Sequence, residues 1–241
     1  VPAGTFIGDL TGRRTAFVAM GGLTVAVLIM LLIVMPPLPP RQTTRLTVLR
    51  GMLNSVATRF ALLLTVLVVL AHFGTYTYVT PFLEQVTNVS SGLLTVFLLI
   101  YGVAGILGNF LGGSLVTRHP RATLGAAAGM IAVATLLLPV LGQWKAGAIA
   151  LLVVWGVGYG AVPVSSQTWF TKASPDTPEA ASVMFTASFQ ATISLGALRG
   201  GFVVDAGSPP TVMTLGGMTA VLMVMAVWAH YARHLTWPVN D

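Results

Sequence analysis

Cysteine is absent from all 241 residues, which excludes disulfides, thiolate metal sites and cysteine nucleophiles and leaves the redox compartment without a marker. Charge is scarce as well: Asp, Glu, Lys and Arg make up 7% of the chain, against about a quarter in a soluble domain. A soluble fold of this length needs more polar surface than that. The net charge of +6 does not point to nucleic acid, because the twelve Lys and Arg are scattered between apolar stretches and form no basic stripe. Catalytic patterns are missing too. There is no His-Glu-x-x-His, Gly8-Asp9 lacks the glycine that precedes Asp in intramembrane aspartyl proteases, and Gly112-Gly113-Ser114 has no histidine partner at membrane depth. No enzyme activity, metal or cofactor is expected, and nucleic acid is not an expected partner.

What the chain does contain is hydrophobic sequence, 55% of its residues, arranged in runs of about twenty that match the thickness of a bilayer core. Seven spans can be drawn: Thr15 to Met35, Phe60 to Phe82, Leu93 to Val116, Ala122 to Leu141, Ala146 to Phe170, Ala180 to Val204 and Thr211 to His230. Val1 to Leu10 reads as an eighth, cut short, so the chain is expected to begin partway through a longer protein. Arg199 is the only charge inside these limits. No ten-residue segments of alternating polarity suggest a barrel. The expected fold class is therefore an all-α polytopic membrane protein with the lipid bilayer as its main surroundings.

One connection is long. Pro36 to Arg59 runs from a proline cluster into a basic segment where Leu46, Leu49, Leu53 and Val56 fall at helical spacing. Two readings stand there, a helix lying at the membrane surface and a solvated basic linker. In alternate connections, one set holds Arg41, Arg45, Arg50, Arg59, Arg118, Arg121, Lys172 and Arg233, and the other only Arg13, Arg14 and Lys145. The richer set is expected in the cytoplasm, with the C-terminus inside.

Three helix ends look alike and lie three spans apart: Gly4 to Asp9, Gly112 to Thr117 and Gly200 to Asp205. A reused three-helix unit accounts for this. Glycines four apart, Gly4, Gly8 and Gly12 or Gly108 and Gly112, clear one helix face for a neighbouring backbone.

The opening Val1-Pro2-Ala3-Gly4-Thr5 through Gly8, Gly12 and Arg13-Arg14 resembles the antiporter motif of the major facilitator superfamily, in its drug, sugar and nucleoside efflux branch of proton antiporters. The loop Gly113-Ser114-Leu115-Val116-Thr117-Arg118-His119-Pro120-Arg121 is similar to that family's cytoplasmic loop signature. Thr117 stands where the family has Asp, and Pro120 where it has Gly. Thr75 to Leu83, and Trp155-Gly156 through Val162-Pro163-Val164 to Trp169, resemble the purine ribonucleoside and arabinose efflux permeases. The resemblance implies two six-helix bundles around a central cavity. On it, residues 1–35 hold the end of the fifth span and the sixth span of the N-terminal bundle. Residues 36–59 are the cytoplasmic inter-bundle linker, and residues 60–241 the C-terminal six-helix bundle. It implies proton-coupled efflux of a small organic solute, the proton gradient supplying the coupling ion. It also implies a plasma or bacterial inner membrane, and a partner in the missing N-terminal half of the same protein. Gly4, Gly8, Gly12, Gly113, Arg118 and Arg121 are the conformational motif residues that it suggests.

Polar and aromatic side chains inside a span are costly against lipid and face neighbours or a wet cavity instead. His72 and Tyr76 share a face just before a kink expected at Pro81. Trp155, Tyr159 and Ser166 lie together on another helix, with Gln167 one step aside; Ser182, Thr186, Gln190 and Ile193 follow one face of the next, and Tyr101, Gly105 and Asn109 one face of an earlier span. His72, Tyr76, Asn109, Trp155, Tyr159, Gln167 and Gln190 are the candidate substrate-binding residues. They offer stacking and neutral hydrogen bonds to a nucleoside, a sugar or an amphipathic drug. Glu84, Arg199 and Asp205 are candidates for proton or charge coupling, and Arg199 can alternatively snorkel to the outer interface. A seven-span receptor and an intramembrane enzyme are the competing functions.

Overall fold

A computed structural model describes residues 13–35 and 46–233, and those residues form nine helices and no strand. These are α1 (Arg13–Val34), α2 (Leu46–Met52), α3 (Val56–Tyr76), α4 (Val79–Gln85), α5 (Ser91–Val116), α6 (Pro120–Leu141), α7 (Lys145–Ala173), α8 (Pro178–Ala206) and α9 (Pro209–Arg233). Seven stretches among them are long and apolar enough to cross a membrane, α3 and α4 counting as one. The motif glycines Gly4, Gly8 and Gly12 lie outside the described residues.

Proline sets several boundaries. Pro120 and Pro178 open α6 and α8 in the first turn, where a missing N–H costs no helical bond, and this keeps the connections short. Pro81 acts differently. The kink expected at that residue is a break four positions earlier, between Tyr76 and Val79, because the proline ring excludes the carbonyl that a continuous helix would place behind it. Threonines inside the spans return their hydroxyls to the carbonyl one turn back, as Thr75 does to Ala71 and Thr135 to Ile131, so these polar groups need no outside partner.

Helices α3 to α9 pack as one bundle. Its most extensive contacts are α5 on α7, α6 on α7 and α9, and α3 on α8 and α9. Without water to squeeze apolar faces together, close fit does the holding. Gly108 lies directly against the backbone of Val157, and Gly160 against Gly105, so α5 and α7 touch main chain to main chain. Gly112 makes the same approach to Ala161, and Gly200 meets Gly74 and Tyr78. Two of the three similar helix ends thus sit at close crossings, whereas Gly113 faces open space. The described side chains of α1 are all exposed.

Within the linker, residues 46–52 form a helix. Met52 is buried with Phe170, Ala180, Ala181 and Phe185, and Val48 and Leu49 pack beside it. Leu46 and Val56 are exposed, and the chain turns at 53–55 before α3 starts, so Leu46 to Val56 is not one continuous helix.

Helices α3 and α7 run in opposite directions in a fixed register. Thr58 hydrogen-bonds Ser174 at 3.1 Å, the rings of Phe60 and Trp169 are 6.2 Å apart, and His72 meets Trp155 and Tyr159. Lys172 Nζ donates to the Thr117 carbonyl at 3.3 Å, which brings the α5–α6 and α7–α8 turns to the same end of the bundle.

Candidate functional site

The register of α3 against α7 assembles five aromatic rings from three helices. Residues four apart on a helix lie one above the other, so Tyr76 stacks on His72 with centroids 5.1 Å apart and planes at 17°. From α7, Tyr159 lies flat on the imidazole at 3.4 Å and 5°, while Trp155 meets it edge-on at 5.7 Å. Tyr101 of α5 closes the far side, 4.9 Å from Tyr76 and 5.9 Å from Trp155. Phe73 and, beyond it, Phe189 of α8 extend the cluster.

The polar atoms inside the cluster are unevenly partnered. Trp155 Nε1 donates to His72 Nδ1 at 3.1 Å, yet His72 Nε2 and Tyr101 Oη are buried with no hydrogen-bond partner among the described residues. The hydroxyls of Ser165 and Ser166 are in the same position, just beyond Pro163 in α7. Leaving such a group unpaired costs about 1–3 kcal/mol. No metal-binding cluster of His, Asp and Glu occurs among the described residues.

Of the candidate residues, the structure brings together His72, Tyr76, Trp155 and Tyr159. His72 and Trp155 are wholly buried, whereas Tyr76 and Tyr159 are half-buried and form the cluster's accessible edge. Asn109, Gln167 and Gln190 are exposed, although the backbone of Asn109 lies against Gly160, and Gln190 follows Phe189 in sequence. Thr186, Gln190 and Ser194 form an exposed polar stripe at four-residue spacing along α8. Glu84 and Asp205 are exposed at helix ends, Arg118 is exposed and Arg121 half-buried. Arg199 is exposed on α8. Its Nη1 reaches across to Thr219 Oγ1 of α9 at 3.2 Å, ten positions into that helix. Phe73 and Phe189 were not singled out in the sequence, where a phenylalanine in an apolar run carries no distinguishing mark. Ser165 was missed for lack of a face shared with Trp155.

Comparison with known proteins adds the following. The family model for the Major Facilitator Superfamily matches residues 1–196. A probable sugar efflux transporter of Helicobacter pylori (strain G27) is 28% identical over 204 residues, which are 85% of this chain and 52% of that protein. The chain thus spans about half the length of this curated relative. Among solved structures, the in meso crystal structure of the POT family transporter PepTSo is similar with a TM-score of 0.62, covering 77% of this chain and 39% of that one at 14% identity, a likeness of fold alone.

Proposed function

Because the chain belongs to the Major Facilitator Superfamily, we propose that its parent protein exports a small neutral solute of the sugar class by alternating access, with protons moving the other way. The observation that carries this reading is the aromatic cluster, three helices meeting through rings and neutral polar atoms with no carboxylate, Lys or Arg among them. Such a lining can stack on a sugar or heterocycle and hydrogen-bond its hydroxyls without burying a charge. The similarity to a probable sugar efflux transporter supports the same solute class. The polar stripe of α8 is ill suited to lipid and suits a wet cavity shared with the other half of the parent. The family assignment leaves the receptor and enzyme alternatives without support.

On this reading the half-buried edges of Tyr76 and Tyr159, with Gln190, meet the solute, while His72 and Trp155 lie behind them. Loss of one neutral hydrogen bond costs about 0.5–1.5 kcal/mol, roughly a two- to twelve-fold change in apparent affinity. Tyr76→Phe and Gln190→Ala are expected to raise the apparent solute constant by that factor at near-normal membrane abundance. The measurement is sugar uptake into everted vesicles carrying the parent protein under an imposed pH gradient. Unchanged solute dependence in both variants sinks the site, and transport indifferent to the gradient sinks the antiport.

The orientation has its own test. With no native cysteine in this chain, Asp176→Cys in the α7–α8 connection and Gln143→Cys in the α6–α7 connection report opposite sides, and both positions are exposed. In intact cells an impermeant maleimide is expected to label Gln143→Cys and to spare Asp176→Cys. The reverse pattern places the C-terminus outside.

A further inference from the structure

An indole N–H is a donor and nothing else, so the bond from Trp155 Nε1 to His72 Nδ1 requires a lone pair on Nδ1. The imidazole proton therefore sits on Nε2, the atom left without a partner. A second proton on this ring has one place to go, Nδ1, and once there it faces the indole N–H, donor against donor. The bond to Trp155 and the second proton exclude each other.

We infer that His72 is a proton-binding site in which a proton at Nδ1 and the α3–α7 latch exclude each other, so that protonation of the parted state keeps α7 from closing on α3. This rests on the transport reading above and deepens it by naming the coupling group. The titratable groups facing the imidazole are Tyr76 on its own helix, Tyr101 from α5 and Tyr159 from α7. Phe73 meets it edge-on, and α8 contributes to the cluster only Phe189, against Phe73. Among the described residues the indole of Trp155 is the hydrogen-bonding partner of the imidazole, at Nδ1. The ring is sealed on every side, which makes proton uptake conditional on α3 and α7 parting, and that conditionality is what coupling to an alternating-access cycle requires. A place for the movement exists nearby. Pro163 deprives the Tyr159 carbonyl of its helical donor, so α7 carries a weak point immediately past the two rings that grip His72. Released from Nδ1, the Trp155 and Tyr159 segment can part from α3 there, moving together with α5, whose backbone it touches. The proton is taken from water on one side and returned to water on the other, with no covalent bond between heavy atoms made or broken.

The test uses the complete parent in proteoliposomes with radiolabelled arabinose. His72→Asn places an amide oxygen where Nδ1 stands, able to accept from Trp155 and unable to titrate, and His72→Gln is the second variant should the first not reach the membrane. For one proton per sugar, a gradient of one pH unit sustains up to about tenfold accumulation. Wild type is expected to approach that ratio. In the variant the gradient-driven ratio is expected to fall to one. A second readout does not depend on transport: the pH titration of indole emission, taken as the difference between each protein and its Trp155→Phe counterpart. It is expected to show a protonation step in wild type and none in His72→Asn. A flat wild-type titration, a step that survives in His72→Asn, or wild-type accumulation by that variant overturns the latch. If no protein exchanges arabinose, the sugar reading fails separately, and the emission titration decides the latch by itself.

Discussion

Replacing Gly108 with leucine is expected to remove most of the protein from the membrane. A side chain at this position would be driven into the main chain of Val157, and neither backbone has room to yield because Gly160 and Gly105 hold the same two helices together nearby. Ordinary overpacking of a core costs about 1–3 kcal/mol where side chains can repack. Here the obstacle is backbone, so the cost lies at or above the top of that range. Gly113→Leu, five residues along the same helix and facing open space, is the control and is expected to leave abundance near normal. Quantitative blotting of membranes and melting of the solubilised parent protein check both. Equal behaviour of the two variants would mean that the α5–α7 contact is not main chain on main chain.

Trp155→Ala is expected to be the most damaging of the site substitutions. The side chain is wholly buried, meets the rings of His72, Tyr76 and Tyr101 edge-on and holds Nδ1 of His72. Truncating a buried aromatic to alanine costs about 3–5 kcal/mol in soluble cores through lost contacts and the cavity left behind. The dispersion part of that loss persists in a bilayer. Trp144→Ala, at a position 64% exposed, is expected to change stability by no more than about 0.5 kcal/mol. Thermal melting of the parent protein in detergent separates the two. A Trp155→Ala protein that melts with wild type would show that the cluster is loosely packed and that its rings are not held in register.

The spans were legible because a bilayer demands about twenty apolar residues in a row and this chain puts its charges between the runs. The break at Tyr76 to Val79 was legible in kind from Pro81, and its position follows from the carbonyl that a proline ring excludes. The pairing of His72 with Tyr76 could be read from one helix alone, since four residues make one turn. The pairing of His72 with Trp155 could not, because register between two helices depends on how glycines and side chains mesh along their whole length. Leu46, Leu49, Leu53 and Val56 fit a single helix on paper, but a turn separates Met52 from Val56, and it is Met52 that is buried. Asn109, Gln167 and Gln190 stood out as amides in apolar runs. Composition says nothing about whether such a group turns into the bundle or away from it, and all three are exposed.

His72 and Trp155 are separated by 83 positions in the chain. At about 5–20 residues per second, a ribosome needs roughly 4–17 s to travel from one to the other. For that interval α3 is already made while the indole that will hold its imidazole has not been synthesised. The helix must therefore enter the bilayer on the strength of its leucines and valines alone, carrying an unpaired ring that only later chain growth can satisfy. Order of synthesis thus bears on the same pair of residues as the proposed coupling does. A substitution on α3 that weakens its apolar run is expected to act during biogenesis, before any transport can be measured.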